Sequence, residues 1–183
     1  MISMEAFSDK DVVLMKAWDD NIASAYGVLN DGLYSLAVYK GLHGRFATGC
    51  FEPFSRGFWV SVSDNAIQMA AVQWCKVFGS ENNEIRYDKL VNEIRFIAIL
   101  GTEIPFKKVS DEIRHFRNKY VAHSANFNAP VPVFDNALKV VKAFDEVVRE
   151  EYDAEGLMSL IGAYDAYRMQ VTDYFDALGI KGV

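Results

Sequence analysis

Cysteine, proline and net positive charge are scarce in this chain, and each scarcity excludes a class of protein. Its 183 residues include two cysteines and four prolines, and they carry a formal net charge of −6. Cys50 and Cys75 are too few for a disulfide framework and match no metal-binding spacing, so a reduced, cytoplasmic environment is expected. The negative charge argues against a broad basic surface for nucleic acid, although a small basic site remains compatible with it.

Long apolar runs are also missing from the sequence. Charged residues interrupt every candidate before it reaches the roughly 20 residues that span a bilayer, so no membrane association is expected. The first residues, MISMEAFSDKD, contain no basic segment followed by an apolar block, and a secretory signal is therefore not expected. With 51% hydrophobic residues, residues 1–183 are predicted to form one globular domain.

Apolar residues recur three or four positions apart along most of the chain, which is the spacing of helices. The pattern predicts helices over about Ser8–Leu42, Gly57–Phe78, Tyr87–Ile99, Lys108–Ser124, Phe134–Tyr152 and Leu157–Leu178. Ser8 and Ser110 are the predicted caps of the first and fourth helices. Gly27 and Gly32 leave open whether the first helix is continuous or kinked. The predicted fold is an all-α, up-and-down antiparallel bundle with a four-helix core and one or two extra helices.

Charge is segregated along the sequence. Residues 107–119 hold five basic residues against two acids, whereas residues 145–176 hold nine acids against two arginines. Contact with a polyanion is therefore expected to be confined to the fourth predicted helix. The acidic C-terminal hairpin is expected to limit non-specific binding.

Arg117 and His123, near the end of that basic helix, have the chemistry needed at a phosphodiester. Histidine has an unperturbed pKa of about 6.5 and can take or give a proton near neutral pH. Arginine presents a planar fork of donors to phosphate oxygens and keeps its charge as the transition state becomes more negative. In RNA the 2′-hydroxyl supplies the nucleophile, so the expected reaction is transesterification to a 2′,3′-cyclic phosphate without a metal ion.

The spacing of these two residues constrains their geometry. At about 100° per residue, Arg117 and His123 lie about 120° apart around a straight helix, on opposite borders of its apolar stripe. They do not converge on one phosphate in that arrangement. They converge if the last turn unwinds, or if a second copy of the helix crosses nearby in a symmetric homodimer.

The stretch His115–Ser124 resembles the signature of HEPN domains: an arginine, usually followed by a polar residue, and a histidine four to six residues further on. Five residues separate Arg117 from His123, and Asn118 occupies the polar position. The order phenylalanine-arginine-asparagine, then alanine-histidine-serine, is most similar to abortive-infection-type HEPN proteins. The resemblance implies an all-helical homodimer whose two signatures meet in a cleft. It also implies a metal-independent endoribonuclease used in phage defence, toxin–antitoxin pairs or RNA processing.

The resemblance also implies a role for each residue of the signature. His123 would transfer the proton, Arg117 would bind the phosphate and the transition state, and Asn118 would orient either of them. Arg114 and Lys119 are expected to contact the RNA backbone. The implied partners are RNA, a second copy of the chain and an antitoxin or inhibitor protein, and no cofactor is implied.

The chain departs from the HEPN resemblance at one position, and two other interpretations of the sequence stay open. HEPN toxins paired with a minimal nucleotidyltransferase often carry a tyrosine two residues after the histidine, but this chain has Ala125, so control by adenylylation is not expected. The net charge of −6 favours a non-catalytic module that binds nucleotide, RNA or another protein. In the third interpretation the chain is purely structural, and Arg117 and His123 form ion pairs with nearby acids.

Overall fold

The computed structural model describes residues 19–46, 51, 53–79, 82–121, 131–152, 154 and 157–180. These residues contain seven α-helices and no strand, which confirms the all-α bundle. The helices are α1 (Asp20–Phe46), α2 (Pro53–Phe78), α3 (Tyr87–Leu90), α4 (Glu93–Leu100), α5 (Phe106–Phe116), α6 (Phe134–Glu151) and α7 (Leu160–Ala177). A π-helical turn, Arg117–Val121, continues directly from α5.

Helices α1 and α7 lie side by side and run in the same direction. Tyr34 contacts Tyr167 edge to face, with ring centroids 5.5 Å apart, and Gly41 meets Val171 further along both helices. A Cβ built on Gly41 would lie 2.7 Å from Val171 Cγ1. The close approach of the two helices therefore requires glycine at position 41.

Helix α6 runs opposite to α1 and therefore also opposite to α7. Near the start of α1, the Tyr26 hydroxyl donates a hydrogen bond to Asp145 near the end of α6. Further along α1, Lys40 pairs with Asp135 at the start of α6. Helices α6 and α7 thus form the predicted antiparallel hairpin.

The buried apolar side chains form one continuous cluster, and Phe78 at the end of α2 lies near its centre. Phe78 is 1% exposed, and its ring contacts those of Trp74, Tyr87, Phe96 and Phe144 at centroid distances of 4.9–6.3 Å. Aromatic side chains buried in this way contribute about 1.5–3 kcal/mol each. The cluster joins the end of α2 to α3, α4 and α6.

The first helix differs from its prediction in extent. It is continuous from Asp20 to Phe46 and passes through both Gly27 and Gly32. Gly32 lies at the contact with α2, where a Cβ would be 3.1 Å from Gln73 Cβ. Asp19 caps the helix by accepting hydrogen bonds from two backbone N–H groups of the first turn. The predicted cap Ser8 lies outside the described residues.

The start of the second predicted helix and the continuity of the third were wrong, whereas the predicted end of the second helix at Phe78 is confirmed. Helix α2 begins at Pro53 rather than Gly57, because proline suits the first helical position, where an N–H is not needed. The predicted helix Tyr87–Ile99 is two helices, α3 and α4. Asn92 separates them, since its side chain caps α4 by accepting a hydrogen bond from the backbone N–H of Arg95 at 3.1 Å.

The caps of the later helices also differ from their predictions. Helix α5 begins at Phe106, and Ser110 does not cap it. Helix α7 begins at Leu160 rather than Leu157, because Ser159 caps it by accepting a hydrogen bond from the N–H of Gly162 at 2.9 Å. Of these two serines, only Ser159 therefore caps a helix.

Candidate functional site

Helix α5 carries the first part of the proposed signature and is anchored by its apolar face. Val109, Ile113 and Phe116 are buried in the core on one side of this helix. The Ser110 hydroxyl donates a hydrogen bond to the backbone C=O of Phe78 at 3.1 Å. Because Phe78 is the last residue of α2, these contacts fix α5 against the C-terminal end of α2.

The helix changes from α to π geometry at Arg117. Residues 117–121 form a single π turn with i to i+5 hydrogen bonding, and such turns occur frequently at functional sites. The rotation of 100° per residue used for the straight helix therefore ends at Phe116. The predicted convergence of Arg117 and His123 required the last turn to unwind or a second copy of the helix to cross nearby, and the described residues test neither condition. His123 itself lies outside the described residues.

The structure brings Arg117 and Asn118 together. Arg117 is half-buried, and its Nε and Nη2 atoms both donate to Oδ1 of the exposed Asn118, at 3.0 and 2.9 Å. Two donors on one acceptor restrict rotation of the guanidinium plane. The amide of Asn118 therefore orients the arginine side chain at the start of the π turn.

Arg114 and Lys119 have different surroundings in the structure. Arg114 is engaged within its own helix, since its Nη2 lies 2.6 Å from Asp111 Oδ1. Lys119 is exposed and lines a groove of about 450 Å³ that neither Arg114 nor Arg117 lines. Of the two residues expected to contact RNA, Arg114 is therefore paired with an acid of its own helix, and Lys119 lines the groove beside the π turn.

Sequence reasoning missed the groove beside Lys119. Its walls are part of α5, the π turn and the segment 131–133 that precedes α6. The residues that line it are Glu112, His115, Phe116, Lys119, Val131, Pro132 and Val133. Glu112, His115 and Lys119 are spaced by three and four residues, which places them on one helical face and was readable from the sequence. The contribution of residues 131–133 depends on tertiary packing, so it could not be read from the sequence.

A buried carboxylate organises the bundle away from the signature. Asp145 is 4% exposed and accepts hydrogen bonds from the Tyr26 hydroxyl at 2.5 Å, Arg149 Nε at 3.2 Å and the Leu160 N–H at 3.3 Å. Burial raises the pKa of the Tyr26 phenol, and the hydrogen bond to Asp145 raises it further. This network joins α1, α6 and α7, so its role is structural.

The described part of the chain lacks both a cluster of metal-ligating side chains and a membrane-spanning helix. Those residues contain no group of three or more histidine, cysteine, aspartate or glutamate side chains that could hold a metal ion. Among the helices described, none combines the length and apolar character needed to cross a membrane.

Comparison of the chain with known protein families, with curated proteins and with solved structures finds no match. The signature contributes two side chains in defined contact, Arg117 and Asn118, at the point where α5 becomes a π turn.

Proposed function

We propose that this chain is an endoribonuclease of the HEPN type, which cleaves RNA at a cleft formed by two copies. Its proposed biological role is phage defence or a toxin–antitoxin-like function, with an antitoxin or inhibitor protein as a further partner. The observation that carries the proposal is the pair Arg117 and Asn118, held together by two hydrogen bonds at the first residue of a π turn. The resemblance of residues 115–124 to the HEPN signature supports it.

The proposed chemistry needs two proton transfers and one fixed cation. In the first step, a basic imidazole at His123 removes the proton of the 2′-hydroxyl, and the 2′-oxygen forms a bond to phosphorus. The bond from phosphorus to the 5′-oxygen then breaks, and that oxygen takes up a proton. Arg117 stabilises the negative charge on the non-bridging oxygens throughout. Acid–base catalysis of this kind contributes about 10²- to 10⁴-fold to the rate.

The homodimer follows from the same chemistry. A second copy places another Arg117 and another His123 next to the first pair, so one cleft contains enough groups for both proton transfers. The acidic character of the whole chain, with its net charge of −6, limits non-specific RNA binding over the rest of the surface.

The test is an RNA cleavage assay in excess EDTA with the full chain and four variants. Arg117→Ala and His123→Ala are expected to lose at least about 100-fold in rate. The matched controls are Arg95→Ala, an exposed arginine on α4 that pairs with Glu150, and His43→Ala, an exposed histidine on α1. Both controls should cleave like the wild type.

Two outcomes would contradict this proposal. If the wild-type protein cleaves no faster than Arg117→Ala and His123→Ala, the catalytic assignment is wrong. If it binds RNA without cleaving it, and Arg117→Ala weakens that binding, the non-catalytic module suggested by the net charge replaces the nuclease.

A further inference from the structure

A polar groove runs between α1 and α7, separate from the signature. It has a volume of about 230 Å³. Small residues of α1 and cationic side chains of α1 and α7 line this groove. The lining residues are Ala37, Lys40, Gly41, Gly44, Arg45, Arg168 and Thr172. Three positive charges from two helices therefore converge on one small space.

Arg45 supplies a fixed charge beneath this groove. Its side chain is 7% exposed, and its guanidinium lies over the ring of Phe175 at 5.1 Å. Nε donates to the C=O of Ile180 at 2.6 Å, and Nη2 pairs with Asp176 Oδ1 at 2.7 Å. Nη1 donates to the C=O of Gly41 at 3.0 Å. These contacts hold the guanidinium in one orientation, so its position does not depend on a ligand.

The other two cations are available at the surface. Lys40 pairs with Asp135, whose side chain is 68% exposed, and a surface ion pair of this kind contributes only about 0–1 kcal/mol. Arg168 is exposed and makes no hydrogen bond or ion pair with any residue that the structure describes. Positive side chains at the groove thus outnumber the carboxylates that pair with them.

We propose that this groove binds a phosphate group, either that of a nucleotide or one from an RNA backbone. Arginine and lysine are the side chains that best match phosphate oxygens. Gly41 and Gly44 leave space for the group to approach the backbone of α1. The volume is below the roughly 300 Å³ of typical small-molecule pockets, so it suits a phosphate and part of a sugar rather than a whole nucleotide.

The groove is a second site, independent of the proposed nuclease cleft. Near the groove, Trp59 of α2 contacts Phe175 of α7, whereas Ser110 of α5 contacts Phe78 at the other end of α2. At 1.5 Å per residue, about 28 Å of helix separates Trp59 from Phe78. Binding at the groove can therefore be measured separately from cleavage.

The first experiment follows binding to the ¹⁵N-labelled full chain by NMR. The probes are inorganic phosphate, adenosine monophosphate and a short single-stranded RNA. We expect at least one probe to shift the amide resonances of residues 37–45 and 168–172. Arg168→Gln and Lys40→Gln should each weaken that binding about tenfold. Lys139 is an exposed lysine of α6 outside the groove, so Lys139→Gln should leave the binding unchanged.

Substitutions at two glycines of α1 distinguish a loss of phosphate binding from a loss of folding. A Cβ on Gly44 or on Gly27 would meet no atom within 4 Å, but only Gly44 lines the groove. Gly44→Leu is expected to keep the fold and to abolish phosphate binding, because the new side chain occupies the groove. Gly27→Leu should fold and bind like the wild type.

The probes also distinguish the source of the phosphate. A preference for the RNA over the monophosphate assigns the groove to an RNA backbone, and the opposite preference assigns it to a nucleotide. The proposal is overturned if none of the probes shifts the groove resonances, or if Arg168→Gln and Gly44→Leu bind as tightly as the wild type.

Discussion

The guanidinium of Arg117 and the amide oxygen of Asn118 form a fork in which Nε and Nη2 share one acceptor, at 3.0 and 2.9 Å. The two residues are adjacent in the chain, and the contact forms at the first residues of the π turn. Because the amide is neutral, it restricts the arginine without cancelling its charge. Asn118 is therefore a positioning residue for Arg117 within the proposed cleft.

Removing this amide should reduce the rate of RNA cleavage without weakening RNA binding. In Asn118→Ala the guanidinium samples several orientations, and we expect kcat to fall about tenfold, equivalent to about 1.4 kcal/mol of transition-state stabilisation. KM should change little. Asn118 is exposed, so stability should stay within about 0.5 kcal/mol of wild type.

Lys119 lies in the same π turn as Asn118, but its substitution should affect RNA binding rather than the rate of cleavage. Lys119→Ala should raise KM and reduce the salt dependence of RNA binding, because an exposed lysine acts through phosphate attraction. Steady-state kinetics at two salt concentrations measure both effects. An unchanged kcat in Asn118→Ala would rule out the positioning role.

The sequence was sufficient for the helices whose apolar spacing is regular. The end of α2 at Phe78 and the start of α6 at Phe134 were both predicted, because a long apolar stripe and a strong breaker agree at each point. The break at Asn92 was missed. The apolar pattern continues across it, so only the side-chain cap on α4 separates the two helices.

The site was predictable only in part for a similar physical reason. The sequence shows that Arg117 and Asn118 are adjacent, but it shows neither their hydrogen bonds nor the π turn, because local spacing assumes α geometry. The groove at Arg45 and Arg168 could not be read from the chain, since 123 positions separate its two arginines. Only the packing of α1 on α7 brings them together.

Asp145 should be the most sensitive charged position in the bundle. Asp145→Ala removes the acceptor for the Tyr26 hydroxyl and the partner of Arg149, whose buried Nη2 makes no hydrogen bond with any described residue. Removing one partner of a buried ion pair costs about 3–5 kcal/mol. Urea unfolding followed by circular dichroism measures the free energy of unfolding.

The adjacent acid is a matched control for that experiment. Glu146 is exposed and lies 3.7 Å from Lys142, so Glu146→Ala should cost less than about 1 kcal/mol. Equal losses in the two variants would show that the buried network contributes no more than a surface pair.

Stability should fall in alkaline solution partly through Tyr26. Its pKa is raised in the folded state by burial and by the hydrogen bond to Asp145, whereas the unfolded phenol titrates near pH 10. A raised folded pKa gives stability that is complete below pH 10 and is lost as the pH rises above it. Tyr26→Phe should therefore show a smaller decline in the free energy of unfolding between about pH 10 and pH 11.

An exposed tyrosine separates this effect from the general effect of alkali. Tyr174 is 62% exposed, and Tyr174→Phe should keep the wild-type pH dependence. Identical slopes for Tyr26→Phe and the wild type would contradict the assignment of the alkaline loss to Tyr26.

Asp64, unlike Asp145, should destabilise the fold when its carboxyl is ionised. Burial raises the pKa of this carboxyl, and Asp64 makes no hydrogen bond or ion pair with any residue in the described part of the chain. Its ionised form therefore destabilises the fold above the folded pKa, and the penalty disappears as the pH falls through that value. Asp64→Asn should raise the free energy of unfolding at pH 7 and change it little at pH 3.

Removing any acid from a chain of net charge −6 relieves some repulsion, so a control is needed. Asp173 is exposed on α7, and Asp173→Asn measures that general effect. If both asparagine variants gain equally at pH 7, the burial of Asp64 contributes nothing to the difference.

The close packing of α1 on α7 predicts opposite effects for two glycine-to-alanine substitutions in the same helix. A Cβ at position 41 would lie 2.7 Å from Val171 Cγ1, and the β-branched valine has little freedom to move. Gly41→Ala should therefore destabilise the fold by about 1–3 kcal/mol. Gly27 faces open space, so Gly27→Ala should stabilise it by about 0.5–1 kcal/mol through the helix propensity of alanine. Thermal unfolding of both variants tests the pairing of the two helices, because a gain in Tm for Gly41→Ala would mean that α1 and α7 do not approach each other at this point.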